Sequence, residues 1–168
     1  GPTGLHAQIW DAYQAGPQNL TLNKKLPYGH EGFTGEVKIS VEFTWTDDNE
    51  LVLEYLATTN KKTIINLTHH AFFSIQGIAN PTPTVDDLML ELNCDFYIPT
   101  DETSIPTGEI LKVEGTPFDF RIPKLIGKDI NADDEQIKFG SGYDHNYICN
   151  KKEVGELSFV ARLTDPKS

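Results

Sequence analysis

Short alternating segments, dense turn residues and almost no helical periodicity predict an all-β protein, an antiparallel β-sandwich. The strongest single signal is Val37, Ile39, Val41, Phe43 and Trp45 alternating with Lys38, Ser40, Glu42 and Thr44, which puts apolar side chains on one face of a half-buried strand. Asp47-Asp48-Asn49-Glu50 is a turn, Leu51–Thr59 returns as a second strand, and Asn60-Lys61-Lys62 turns the chain into a third. Together these predict a hairpin-linked meander. The 168 residues are about one domain's worth of chain and are expected to form a single domain, 1–168.

The other elements follow in order. Gly1 to Trp10 runs from a glycine-containing loop into a short apolar segment and opens without methionine, as if cut from something longer. Ala12 to Asn23 carries a weak strand through Leu20 and Leu22. Leu26 to Gly35, with three glycines and Pro27, is a loop whose His30 and Glu31 are expected to be solvated rather than to line a site. After Ile75 comes a loop with Pro81 and Pro83, then Leu88, Leu90 and Leu92 alternating into Tyr97-Ile98-Pro99. Asp101 to Phe120 is rich in turn residues around a short strand, Ile110 to Val113. Pro123 to Ile130 is the one helical candidate, with proline at a tolerated first-turn position. Gly142 to Tyr147 leads into a strand, and Leu157, Phe159, Ala161 and Leu163 alternate in another. Asp165 to Ser168 resembles half of a hairpin turn, so the sandwich is expected to be incomplete in this chain.

The formal net charge of -11 argues against nucleic-acid and anionic-membrane partners, which require clustered Lys and Arg. Only Arg121 and Arg162 supply guanidinium groups, so a neutral polar ligand is expected over a phosphate or carboxylate. Cys94 and Cys149 fit no zinc spacing and are expected as free thiols. No apolar run approaches the length of a membrane span, and no signal peptide is evident. The expected location is cytoplasmic, with a periplasmic or secreted one left open because the first residue is not methionine.

Chemistry concentrates in Ile64 to Ile75, IINLTHHAFFSI. In an extended chain Ile65, Leu67, His69, Ala71, Phe73 and Ile75 share an apolar face suited to a core. Ile64, Asn66, Thr68, His70, Phe72 and Ser74 form a mixed face of the kind that lines a small-molecule cleft. His70 is a candidate general acid or base; a hydrogen-bonded structural histidine is the alternative. His69 belongs at the core or its rim, and the adjacent pair points to opposite faces, which argues against a shared metal. In Gly142-Tyr143-Asp144-His145-Asn146-Tyr147, Asp144 shares a face with Asn146 and is equipped to grip sugar hydroxyls; a turn aspartate is the alternative. Asp119 and Arg121 are expected to pair structurally.

INLTHHAFF, IPTGEI followed by EGTPFDFR, GYDHNY, the opening GPTGLHAQIWDA and the loop EGFTGEVKISVEFTW together resemble the aldose 1-epimerases, the galactose mutarotase family, over essentially the whole chain. The resemblance implies a large two-sheet β-sandwich, the galactose mutarotase-like supersandwich, that interconverts the α and β anomers of aldohexoses such as galactose and glucose. In that family a glutamate takes the proton of the C1 hydroxyl while a histidine protonates the ring oxygen, without a cofactor. His70 matches the proton-donating histidine and Asp144 the sugar-binding aspartate. Phe72 stands where the family usually has a substrate-binding tyrosine, keeping the ring and losing the hydroxyl, and His69 stands where it has asparagine.

Family members are roughly twice this length. Their sugar-binding arginine and second histidine precede the part matching Gly1, and their glutamate base follows the part matching Ser168. None of the glutamates here, Glu31 and Glu102 included, occurs in the base motif. The resemblance therefore implies a central segment, inactive alone, whose partners are a small-molecule aldohexose and the missing flanking segments of the same enzyme. A noncatalytic carbohydrate-binding β-sandwich is the alternative; a phosphosugar epimerase is disfavoured by the acidic charge and the scarcity of arginine.

Overall fold

The computed structural model describes residues 3–77 and 84–167, so the expected loop prolines Pro81 and Pro83 lie outside the described residues, as do Gly1 and Ser168. The chain divides into two compact units, Gly1–Ala71 and Phe72–Ser168.

The first unit is a four-stranded antiparallel sheet of β1 (Asp11–Gly16), β2 (Asn19–Leu26), β3 (Val37–Trp45) and β4 (Leu51–Thr59), in the order β1-β2-β3-β4. Strict alternation predicted β3 to the residue, and the turn after it placed the return strand β4 at its observed bounds: Val37 opposes Thr59 and Trp45 opposes Leu51. Val37, Ile39 and Val41 are buried, and Leu5, Trp10, Leu26, Phe43, Ala57 and Leu67 pack around them. Where the sequence suggested one weak strand there is a hairpin, β1 against β2, and the signal for it was the Gly16-Pro17 turn dipeptide. Gly35 has a φ of +88°, and a Cβ there would sit 2.8 Å from Thr59 Oγ1, so this turn requires glycine.

The expected third strand of the meander is not formed, since residues 64–74 join no ladder among the described residues. The cause lies just before it. Asn60 N–H donates to Glu36 O at 3.4 Å and the Thr34 hydroxyl to Lys62 O at 2.9 Å. These bonds tie residues 60–62 to the loop before β3, and the chain then runs against the apolar face, where Leu67 packs on the Val37 cluster. An extended segment becomes a sheet strand only when a neighbour takes its backbone groups.

The second unit holds two three-stranded sheets. β5 (Met89–Leu92) lies between β8 (Lys124–Leu125) and β10 (Ala161–Thr164); β6 (Cys94–Tyr97) lies between β7 (Leu111–Lys112) and β9 (Tyr147–Cys149). Alternation from Leu88 to Tyr97 reads as one strand, but Asn93 passes the chain from one sheet to the other. Its N–H donates to Val160 O at 2.8 Å and its carbonyl accepts from Asn150 N at 2.9 Å. Its amide also donates to Phe159 O at 3.0 Å. At the chain's end the ladder begins only at Ala161, so Leu157 and Phe159 precede the strand that was expected to include them.

The helical candidate Pro123 to Ile130 is also corrected: it contains β8 and a 3-10 turn, Ile126–Lys128. Leu125 and Lys124 pair with Met89 and Leu90, so their backbone groups serve the sheet. The helix is instead α1 (Glu135–Gly140), opened by Asp134, whose carboxylate accepts from Gln136 N and Ile137 N. It ends at Ser141 in the left-handed region, φ 50°. Ile137 joins Tyr97, Val113 and Phe118 in the core, and Val113 and Phe118 have no exposed surface.

Phe118→Ala is expected to lower stability by about 3–5 kcal/mol through the cavity it opens, and Asp134→Ala by about 1 kcal/mol through the lost cap. Urea unfolding followed by circular dichroism measures both. Equal losses would contradict the assignment of Phe118 as the core of its unit.

Candidate functional site

In the second unit the GYDHNY segment is held by the core around Phe118. Tyr97 stacks on the Phe118 ring with centroids 4.5 Å apart. His145 meets it edge-on at 4.7 Å and Tyr143 at 5.6 Å. The Tyr147 hydroxyl donates to the Phe118 carbonyl at 3.1 Å. Residues 143, 145 and 147 are therefore drawn inward, and alternation leaves Asp144 and Asn146 exposed, as the sequence predicted.

Gln136 on α1 completes the arrangement. Its Oε1 accepts from Thr100 N at 2.8 Å, its Nε2 donates to Thr100 O at 3.0 Å, and His145 Nε2 lies 3.1 Å from the same Oε1. An amide oxygen only accepts, so His145 carries its proton on Nε2. Nδ1 is buried and has no hydrogen-bond partner among the described residues. Burial pushes the His145 pKa below the ordinary histidine value, opposed by the charges of Asp144 and Asp134. It is a neutral packing residue whose neighbour in sequence is a solvated carboxylate. Burial also raises Tyr143 to about 12 and is the main cause that raises Tyr147. Sequence reasoning missed Thr100 and Gln136, and only the Asp134 cap hinted at the helix that carries Gln136.

In the first unit His70 is exposed, on the segment that joins no ladder among the described residues. Its neighbours show which way the segment faces: Leu67 packs on the sheet, and the His69 ring meets Phe43 edge-on at 5.7 Å. His69 is thus a rim residue, as expected. The apolar face is less covered than alternation suggested, since Ile65 is 40% exposed in this unit and Phe73 65% exposed in the other. Phe72, in the second unit, is 89% exposed.

The first unit also contains a cleft of about 450 Å³ with Leu5, Leu26, Phe33, Val37 and Ile39 on its walls. His30 and Glu31 line it together with Asn66; Glu31 is exposed, as expected for a solvated loop, and His30 is half-buried. Gly29 and Gly32, both at positive φ, fold the loop back to put them there. The Glu31 carboxylate accepts from the Thr3 hydroxyl and from Thr3 N–H, and the hydroxyl is the largest cause holding its pKa below the usual value. Among the described residues no group of three or more His, Cys, Asp or Glu side chains could hold a metal ion.

Short antiparallel sheets, a single short helix among the described residues and polar groups carried on strand ends and loops define an all-β protein of the sandwich class. The chain belongs to the aldose 1-epimerase family, whose sequence model matches residues 3–168. It is 39% identical over 168 residues to human galactose mutarotase, covering 96% of this chain and 46% of that protein. It is 36% identical over 174 residues to the aldose 1-epimerase of Haemophilus influenzae, covering 98% and 50%. Among solved structures, galactose 1-epimerase from Lactobacillus acidophilus NCFM superposes with a TM-score of 0.83 at 32% identity, covering 96% of this chain and 46% of that one. An aldose epimerase homologue from C. elegans gives 0.83 at 30% identity, covering 100% and 48%. The chain spans about half the length of the curated relatives it matches.

His145 sets a pH dependence of stability. An unfolded histidine binds its proton near pH ~6.5, whereas folded His145 binds it only at lower pH. Over that interval the unfolded chain holds more protons, so stability is lost as pH falls through and below the unfolded value. Urea midpoints at neutral and mildly acidic pH should separate more in the unsubstituted protein than in His145→Gln. An equal separation would contradict the burial of His145 as a neutral ring.

Proposed function

We propose that this chain is part of an enzyme that interconverts the α and β anomers of aldohexoses, galactose and glucose among them. His70 is the acid: its imidazolium gives a proton to the ring oxygen while a carboxylate base takes the proton of the C1 hydroxyl. The bond between C1 and the ring oxygen breaks, the open-chain aldehyde rotates about C1–C2, and the reverse transfers close the other anomer. Positioned imidazole and carboxylate groups do this at neutral pH without a cofactor. Asp144 accepts hydrogen bonds from sugar hydroxyls, and the Phe72 ring gives the apolar face of the sugar a surface to rest on.

Family membership across residues 3–168 is the observation that carries this reading. It is supported by the names of the relatives, aldose 1-epimerase and galactose mutarotase. The exposure of His70 and Phe72, and of Asp144 beside the packed Tyr143 and His145, agrees with it. None of this chain's glutamates lies in the family's base motif, so the base and the remaining sugar contacts come from other segments of the same enzyme. The free thiols Cys94 and Cys149 suit a cytoplasmic setting.

Polarimetry on freshly dissolved α-galactose tests the roles. In a protein of the relatives' length, His70→Asn should lower kcat by about 10²- to 10⁴-fold, and Asp144→Asn should raise KM by roughly tenfold or more. The 168-residue chain alone should leave anomerisation at its spontaneous rate. Rapid anomerisation by it would refute an external base, and an undiminished kcat in His70→Asn would refute the acid.

A further inference from the structure

We propose that Cys94 and Cys149 are a modification site, a thiol pair that closes to a reversible intramolecular disulfide under two-electron oxidants such as hydrogen peroxide. The two residues stand directly opposite each other on β6 and β9, and both are free thiols. Asn150 N–H donates to Asn93 O at 2.9 Å just outside them, so the cysteines occupy the adjacent non-hydrogen-bonded position of the ladder. At such positions the Cα atoms approach to about 4.5 Å and the side chains leave the same face. That lies inside the range of about 4.4–6.8 Å that a disulfide spans. The ladder shifts register between Cys94 and Phe96, leaving Asp95 without a partner on β9, so the strand has local freedom to let the sulfurs meet.

The two thiols have different parts. Cys94 is 2% exposed, and burial, followed by the charge and hydrogen bond of Cys149, pushes its pKa up to about 11. It keeps its proton, and the half-buried Cys149 meets the oxidant first. The Cys149 thiolate attacks one peroxide oxygen, the O–O bond breaks, and the departing hydroxide leaves as water with the proton that the thiol gave up. The Cys94 sulfur then attacks the Cys149 sulfenic acid. The S–O bond breaks, and a second water carries away the hydroxyl and the Cys94 proton. Two thiols lose two hydrogens and two electrons, and one peroxide becomes two waters.

The link would tie β6 to β9 across the stretch that contains α1 and Asp144, restraining the unfolded chain. The test is peptide mapping without reductant on the full chain, reduced first, exposed to stoichiometric hydrogen peroxide and then alkylated. The expected product is a Cys94–Cys149 linked peptide, two hydrogens lighter than the sum of its parts and released by dithiothreitol. Tm should rise by about 5–10 °C on oxidation, and that rise should be absent in Cys149→Ser. Quantitative alkylation of both cysteines, sulfinic or sulfonic acids without a link, or links only between separate chains would overturn the proposal. So would a Tm rise that survives in Cys149→Ser. If that variant does not fold, the map of the unsubstituted protein decides alone.

Discussion

The closing of aromatic rings around Phe118 is the constraint on which the second unit depends. Phe118 has no exposed surface, and Tyr97, Tyr143, His145 and Tyr147 all meet it. Aromatic side chains bury large areas, and ring pairs add roughly 0.5–1.5 kcal/mol beyond that burial. Three of these rings come from alternate positions of one short segment, so burying them leaves little choice about the residues between. Asp144 is solvated because its neighbours are not. Gln136 extends the same constraint to the loop after β6 by accepting from the Thr100 N–H and donating to the Thr100 carbonyl while accepting from His145.

Electrostatics restrict what the surface can bind. Arg121 pairs with Asp119 at 2.8 Å, Asp95 at 3.5 Å and Glu114 at 3.9 Å. Arg162 pairs with Glu91 at 3.1 Å. Exposed pairs such as these contribute about 1 kcal/mol or less each. Their consequence is chemical: both guanidinium groups of the chain are committed to its own carboxylates.

What the sequence makes legible follows from which forces repeat along it. Alternation located β3, the shared face of Tyr143, His145 and Tyr147 and the rim position of His69, because burial acts on side chains at a fixed period. It could not report backbone partners. Residues 64–74 alternate like a strand yet join no ladder, and Leu88 to Tyr97 alternates straight through the change of sheet at Asn93. β1 was missed because DAYQAG is largely exposed and carries no apolar period. A helix of 6 residues is too short to show one either, and its evidence was the Asp134 cap. The Thr100–Gln136 and Gln136–His145 contacts join residues 36 and 9 positions apart through polar atoms, for which the chain holds no periodic signal. The family itself was legible because several modest motifs occur in one order.

The measurement that bears most directly on the central claim is a galactose titration followed by NMR, in a protein of the relatives' length labelled at aspartate carboxyl and histidine ring carbons. The expected result is a saturable shift of the Asp144 carboxyl signal, with the His145 ring unchanged in its packed neutral form. A saturable shift of His145 with Asp144 silent would mean that the aromatic cluster presents the wrong face of this segment to the sugar.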